Sequence, residues 1–205
     1  MALIIPVLVR GINNLSDARY CAGMGADGLI FTLDPSLPGA VDVATVKELA
    51  GWVAGVELIG EFGATMPVSE INRLVEECGL QRVALRQLPA SPLSVPVLLH
   101  VPLYSLLDNR LTEDVLAQYA TLFPAGFGLT TTLEASLPAD LLPTLASLSQ
   151  RAMLWLRGAI TPDSVRTLLE QVQPAGLVLE GGDEIKTGLR DFTELEAVFE
   201  ALEEE

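Results

Sequence analysis

The stretch GLVLEGGDEIKTGLRDF, residues 176–192, runs from an apolar segment into Glu180, two glycines and two further acids. A strand that ends in Gly-Gly brings backbone N–H groups up to a ligand, which is the chemistry of a phosphate cradle. Glu180, Asp183 and Glu184 work against that use, because carboxylates flanking Gly181 and Gly182 would repel a phosphate. Charged residues end other apolar runs as well: Arg10, Arg86 and Arg157 on one side of the ledger, Glu61 and Glu180 on the other. The chain has ten arginines, so three of them at comparable places in an acidic protein call for an explanation. Two arrangements satisfy them. One is an internal Arg–Glu network in which each buried charge is paired. The other is a pocket whose arginines grip a carboxylate or phosphate ligand in bidentate fashion. The near balance of two glutamates against three arginines favours the network.

Other reactive side chains are sparse. His100 is the only histidine, and a lone histidine at a strand end is read as a structural hydrogen-bonder. Cys21 and Cys78 fall in the middle of predicted helices, poor places for a nucleophile, and no Ser-His-Asp set is legible. Two cysteines and one histidine at scattered positions give no metal-site spacing, so no metal is expected. Thr130, Thr131 and Thr132 suit the end of a β-strand.

The elements that must position these residues follow from hydrophobic pattern. Short apolar runs predict strands over Ile4–Arg10, Gly28–Leu33, Val56–Phe62, Arg82–Arg86, Val95–Val101, Gly126–Thr131, Ala152–Arg157 and Gly176–Glu180. Amphipathic stretches between them predict helices. NLSDARYCAGMGADG ends in glycines, PVSEINRLVEECGL stops at Gly79, and TPDSVRTLLEQV offers Thr161 as N-cap with Pro162 at the first helical position. LTEDVLAQYATLF and DFTELEAVFEAL behave similarly. Eight alternating units in 205 residues predict one α/β domain over residues 1–205, a small (β/α)8 TIM barrel. Between the fourth and fifth strands only QLPASPLS is available, so the helix there is expected to be irregular or missing.

Composition narrows the partners. Half the residues are hydrophobic and the mean hydropathy is +0.42, yet prolines, glycines and charges interrupt every apolar run before it reaches bilayer length. The formal net charge of −15 argues against nucleic acid or an anionic membrane as partner. MALIIPVLVRG lacks a basic leader and a small-residue cleavage site, so it reads as a first strand, and a cytoplasmic location is expected.

Several segments resemble the phosphoribosylanthranilate isomerases of tryptophan biosynthesis. LVRGINNLSDARYCAGMGADGLIF is similar to the family's opening, where a K-I-C-G-I strand end precedes a helix. VSEINRLVEECGLQRVALRQ resembles its third helix and fourth strand, which ends in Q-L-H-G. LRGAITPDSVRTLLEQVQPAGLVLEGGDEIKTGLRDF resembles its A-G-G-L-T-P-E-N-V, D-V-S-S-G-V-E and P-G-x-K-D segments. The resemblance implies a (β/α)8 barrel with its site at the C-terminal strand ends. It also implies an Amadori rearrangement of a phosphorylated aminoaldose without metal or cofactor, with a cysteine base on strand one, an aspartate acid on strand six and phosphate held at strands seven and eight. By the same matching, the base position falls on Arg10, the acid position on Thr130 and the Q-L-H-G histidine on Arg86. The substrate-binding arginine after strand two falls near Pro38 and Gly39. In the phosphate segments Gly158 and Gly182 are kept, Ala159 replaces a glycine, Arg157 stands where a small residue is usual, and the two serines become Glu180 and Gly181.

Arginine stays protonated at working pH and threonine is too weak an acid for the step. The sequence therefore predicts a divergent, degenerate relative that does not catalyse the rearrangement and binds a small anionic or phosphorylated ligand or a protein partner. The alternative is an active isomerase, or a related sugar-phosphate isomerase, with Glu61 or Glu180 recruited as substitute groups.

Overall fold

Eight short segments, Val7–Arg10 (β1), Gly28–Thr32 (β2), Glu57–Phe62 (β3), Arg82–Leu85 (β4), Val97–His100 (β5), Phe127–Leu133 (β6), Leu154–Gly158 (β7) and Gly176–Glu180 (β8), pair in parallel and in chain order. β8 returns to β1 with Arg10 opposite Glu180, which closes the barrel that the sequence predicts. The computed structural model describes residues 2–107, 110–135, 141–181, 183–186 and 189–204.

Helices Leu15–Gly23 (α1), Val43–Ala50 (α2), Val68–Cys78 (α3), Leu103–Leu107 (α4), Glu113–Leu122 (α5), Leu141–Ser149 (α6), Pro162–Val172 (α7) and Thr193–Ala201 (α8) occupy the connections. Their starts follow capping chemistry. Asn14, Asp42 and Thr112 side chains each accept from a backbone N–H of the first turn, and Thr161 and Ser164 form a reciprocal capping box with Pro162 at the first helical position. α3 ends at Gly79, whose φ of 64° is left-handed. As expected from QLPASPLS, residues 86–96 contain no helix, while the connection after β5 carries two, α4 and α5.

Strand bounds differ from the sequence reading by a residue or two, as at β5 and β7, and three differences have a structural reason or add an element. β1 begins at Val7 rather than Ile4: Pro6 has no N–H to give to a ladder, although its carbonyl accepts from Leu177 N, and Leu3 instead meets Glu203 in an antiparallel bridge. β6 runs on to Leu133. A hairpin, Asp183–Lys186 (β9) with Leu189–Asp191 (β10), stands in the connection from β8 to α8.

Strand alternation divides the apolar residues into two cores. Val7, Val9, Leu29, Phe31, Val83, Leu85, Leu154, Leu156, Leu177 and Leu179 face outward and pack under helix residues such as Val46, Ile71, Leu74 and Val165. Leu8, Ile30, Ile59, Leu98, Trp155 and Val178 fill the barrel interior. Trp155 needs Gly176 beside it and packs tightly against Gly128. A Cβ on Gly176 would come within 2.2 Å of the indole ring, and one on Gly128 within 3.3 Å. Cys21 and Cys78 are buried and are not joined in a disulfide. Among the described residues no helix is long and apolar enough to cross a membrane.

Candidate functional site

Two residues beyond the interior layer, the same inward phase brings a second ring to the C-terminal ends of the strands. From β1 to β8 that ring is Arg10, Thr32, Glu61, Arg86, His100, Thr130, Arg157 and Glu180. Arg86 lies one residue past the end of β4, and the others lie within their strands. The sequence-selected residues are thus brought together at one mouth, with Gly158 and Gly181 on its rim. Gly182 lies outside the described residues.

Glu61 is the centre of the charged cluster. It is only 3 % exposed and its Oε2 lies 2.8 Å from both Nε and Nη2 of Arg10. The same oxygen accepts from Thr32 Oγ1 at 3.0 Å, and Oε1 accepts from Arg86 Nη2 at 3.2 Å. Burial works to raise the Glu61 pKa, but the hydrogen bonds and charge of Arg10, with Thr32 and Arg86, outweigh it and hold the carboxyl below its ordinary range. Arg10 responds in the opposite sense. Burial lowers its pKa, yet Glu61 and Glu180 prevail and raise it.

Glu180 bridges two guanidiniums with separate oxygens. Oε2 accepts from Arg10 Nη1 at 3.0 Å, and Oε1 accepts from Arg157 Nη2 at 2.9 Å. Its side chain is 45 % exposed, much like that of Arg86 at 43 %, whereas Arg10 and Arg157 are at 16 % and 18 %. Burial lowers the Arg157 pKa and Arg10 and Arg86 add to that, with Glu180 and Glu61 offsetting only part. His100 is likewise lowered, first by burial and then by the charges of Arg157 and Arg86. The Thr130 backbone lies close enough to favour the imidazolium slightly, but no aligned hydrogen bond reaches His100 Nδ1. Thr130 Oγ1 and Arg157 Nε are also buried without a hydrogen-bond partner among the described residues.

The rim between β7 and β8, matched by resemblance to a phosphate cup, spends its described N–H groups internally. Gly181 N donates to the Arg10 carbonyl at 2.7 Å, Ala159 N to the Leu133 carbonyl at 3.1 Å and Ile160 N to the Gly158 carbonyl at 2.8 Å. Gly158 has φ 99°, and a Cβ there would come within 2.3 Å of the Leu133 carbonyl oxygen, so the turn requires glycine.

Two contributors escaped the sequence reading. Thr32 could have been found from alternation, since it stands two residues beyond the interior Ile30. Asp34 had no such signal. It is buried and ties the loop after β2 to the end of β3, accepting from Gly63 N at 2.9 Å and from the Ser36 hydroxyl and N–H. These bonds hold its carboxyl low against the upward pull of burial.

No protein-family model matches the chain. Among curated proteins it is 29 % identical over 214 residues to an N-(5'-phosphoribosyl)anthranilate isomerase of Trichormus variabilis, spanning 96 % of this chain and 97 % of that one. It is 28 % identical over 201 residues to the enzyme of the same name from Geobacter sulfurreducens, spanning 91 % and 93 %. Solved structures with the same fold include phosphoribosylanthranilate isomerases from Thermotoga maritima, with TM-score 0.74 and 18 % identity over 97 % of this chain and 98 % of that one, and from Thermus thermophilus, with TM-score 0.71 and 23 % identity over the same shares. The relatives and solved structures named above are phosphoribosylanthranilate isomerases, and the chain is a (β/α)8 barrel similar to them.

Proposed function

We propose that this isomerase-like barrel does not carry out the Amadori rearrangement and that an internal Arg–Glu network closes its mouth. The observation that carries the reading is Arg10, which stands where the resemblance puts the catalytic base and is fastened to both Glu61 and Glu180. A guanidinium so held takes up no substrate proton. Thr130, at the acid position, is too weakly acidic to give one. Use of the Gly181 and Ala159 N–H groups within the backbone, with Glu180 alongside, supports the loss of phosphate binding at that rim.

One observation favours a second reading. The similarity to proteins named as the active isomerase spans nearly the whole of both chains. Under it, Glu61 or Glu180 would replace the missing base. Glu61 is a weak candidate, because the contacts that hold it ionised are the ones that reduce its basicity.

Incubation of the purified protein with phosphoribosylanthranilate, following loss of the substrate's fluorescence, separates the two. A trace no steeper than that of heat-treated protein is expected. Turnover well above that control would assign isomerase activity and overturn the first reading.

A further inference from the structure

Within the network the two glutamates do different jobs. Glu61 is buried and satisfied by three partners. Glu180 is nearly half exposed, ends its strand, and touches the network only through its two carboxylate oxygens, one on Arg10 and one on Arg157. If Glu180 turned outward, Arg10 would keep Glu61. Arg157 would lose the only acceptor its guanidinium has among the described residues, while its Nε already lacks one. Burial first, and then the positive charges of Arg10 and Arg86, lower the Arg157 pKa.

We infer that Arg10 and Arg157 form an anion site whose resident occupant is the chain's own Glu180, and that a small free carboxylate competes for it. A carboxylate is the fitting ligand because a carboxylate already spans the two guanidiniums, one oxygen to each. An external one has an additional bond open to it: entering alongside Arg157, it can take Nε and Nη2 together in the bidentate geometry that Glu180, tethered to β8, leaves half unused. Glu180 competes as an intramolecular ligand at high effective concentration, so the wild-type site is weak and its removal strengthens binding. The inference rests on the Arg–Glu network of the preceding reading but not on the absence of turnover.

The test is a titration of the purified full chain with sodium formate against sodium chloride at matched ionic strength, observed through the arginine Nε–H resonances by nuclear magnetic resonance. Glu180→Ala is expected to bind formate about tenfold or more tightly than wild type, with the Arg157 signal shifting saturably. Glu180→Gln, which keeps the size and one acceptor, should fall between them and serves if the alanine variant is poorly folded. With Arg157→Gln added to either, binding is followed at the Arg10 Nε–H signal and should be abolished. Formate binding no tighter in both folded Glu180 variants than in wild type would overturn the proposal, as would binding that survives Arg157→Gln. Inorganic phosphate binding more tightly than formate in the Glu180 variants would overturn the carboxylate assignment. Fluorescence turnover of phosphoribosylanthranilate is a separate readout, so failure here and failure of the functional reading are told apart.

Discussion

Arg10 and Glu61 meet across the barrel from β1 and β3, with both Nε and Nη2 of the arginine 2.8 Å from a single carboxylate oxygen. Because the Glu61 side chain is 4 % exposed and that of Arg10 16 %, neither charge can turn to bulk water when the other is removed. Glu61→Ala leaves Arg10 with Glu180 as its remaining carboxylate partner, so it should cost about 1–3 kcal/mol of stability, less than when a buried charge is left wholly unpaired. Urea denaturation would show it as a lower midpoint at unchanged slope. A cost near zero would mean that the mouth is wetter than its burial indicates.

The mouth also sets how stability varies with pH. His100 binds its proton less well folded than unfolded, so the unfolded chain takes up protons first as pH falls below the ordinary imidazole value of about 6.5. Stability should decline from there down to the folded value. Glu61 and Asp34 have lowered folded values, so their contributions are complete above the ordinary carboxylate range and are lost as pH falls through the folded values. Glu57 is raised by burial despite Arg82 and offsets part of that acid limb. Since His100 is the only histidine, His100→Asn should flatten the curve just below the ordinary imidazole value of about 6.5 and leave the acid limb intact. Denaturation midpoints measured across this range check it, and an unchanged slope in the variant would refute the assignment.

Below the mouth, Trp155 fills the barrel only because Gly176 has no side chain. Gly176→Ala would press a methyl into the indole and should cost about 1–3 kcal/mol, the usual penalty for overpacking. Adding Trp155→Leu should recover part of that loss by making room. Equal stability of Gly176→Ala and wild type would show that the ring moves aside freely.

The barrel was legible because its signals are local and repeated. Apolar runs of strand length, Pro162 after Thr161, Gly79 after an amphipathic stretch and the two prolines of QLPASPLS each act over a few residues. The charged mouth was legible as a set of residue types at strand ends, since Arg10, Glu61, Arg157 and Glu180 share an inward phase. Pairing was another matter. Whether Glu180 reaches Arg10, Arg157 or a free ligand depends on side-chain paths across the closed barrel, which no spacing along the chain encodes. Trp155 against Gly176 and Asp34 against Gly63 were hidden for the same reason, as contacts between distant segments. The hairpin after β8 was obscured by its charge, because DEIK and LRD lack the apolar alternation that marks a strand.

The double variant Arg10→Cys/Thr130→Asp puts the base and acid of the resembling family back at their matched positions, and it should still give a flat trace with phosphoribosylanthranilate. Removing Arg10 breaks the pairs to Glu61 and Glu180 at once, leaving Glu61 with Arg86 and Glu180 with Arg157. One positive charge is lost and one negative charge gained, so both changes make the mouth more negative toward an anionic substrate. The Gly181 N–H stays bound to the carbonyl of residue 10, which the substitution does not remove. Turnover by the double variant would show that the phosphate still seats beside Glu180 and that only the catalytic pair had been lost. A flat trace makes Glu180→Ser the next change, because it takes away the carboxylate beside Gly181 while leaving the strand end in place.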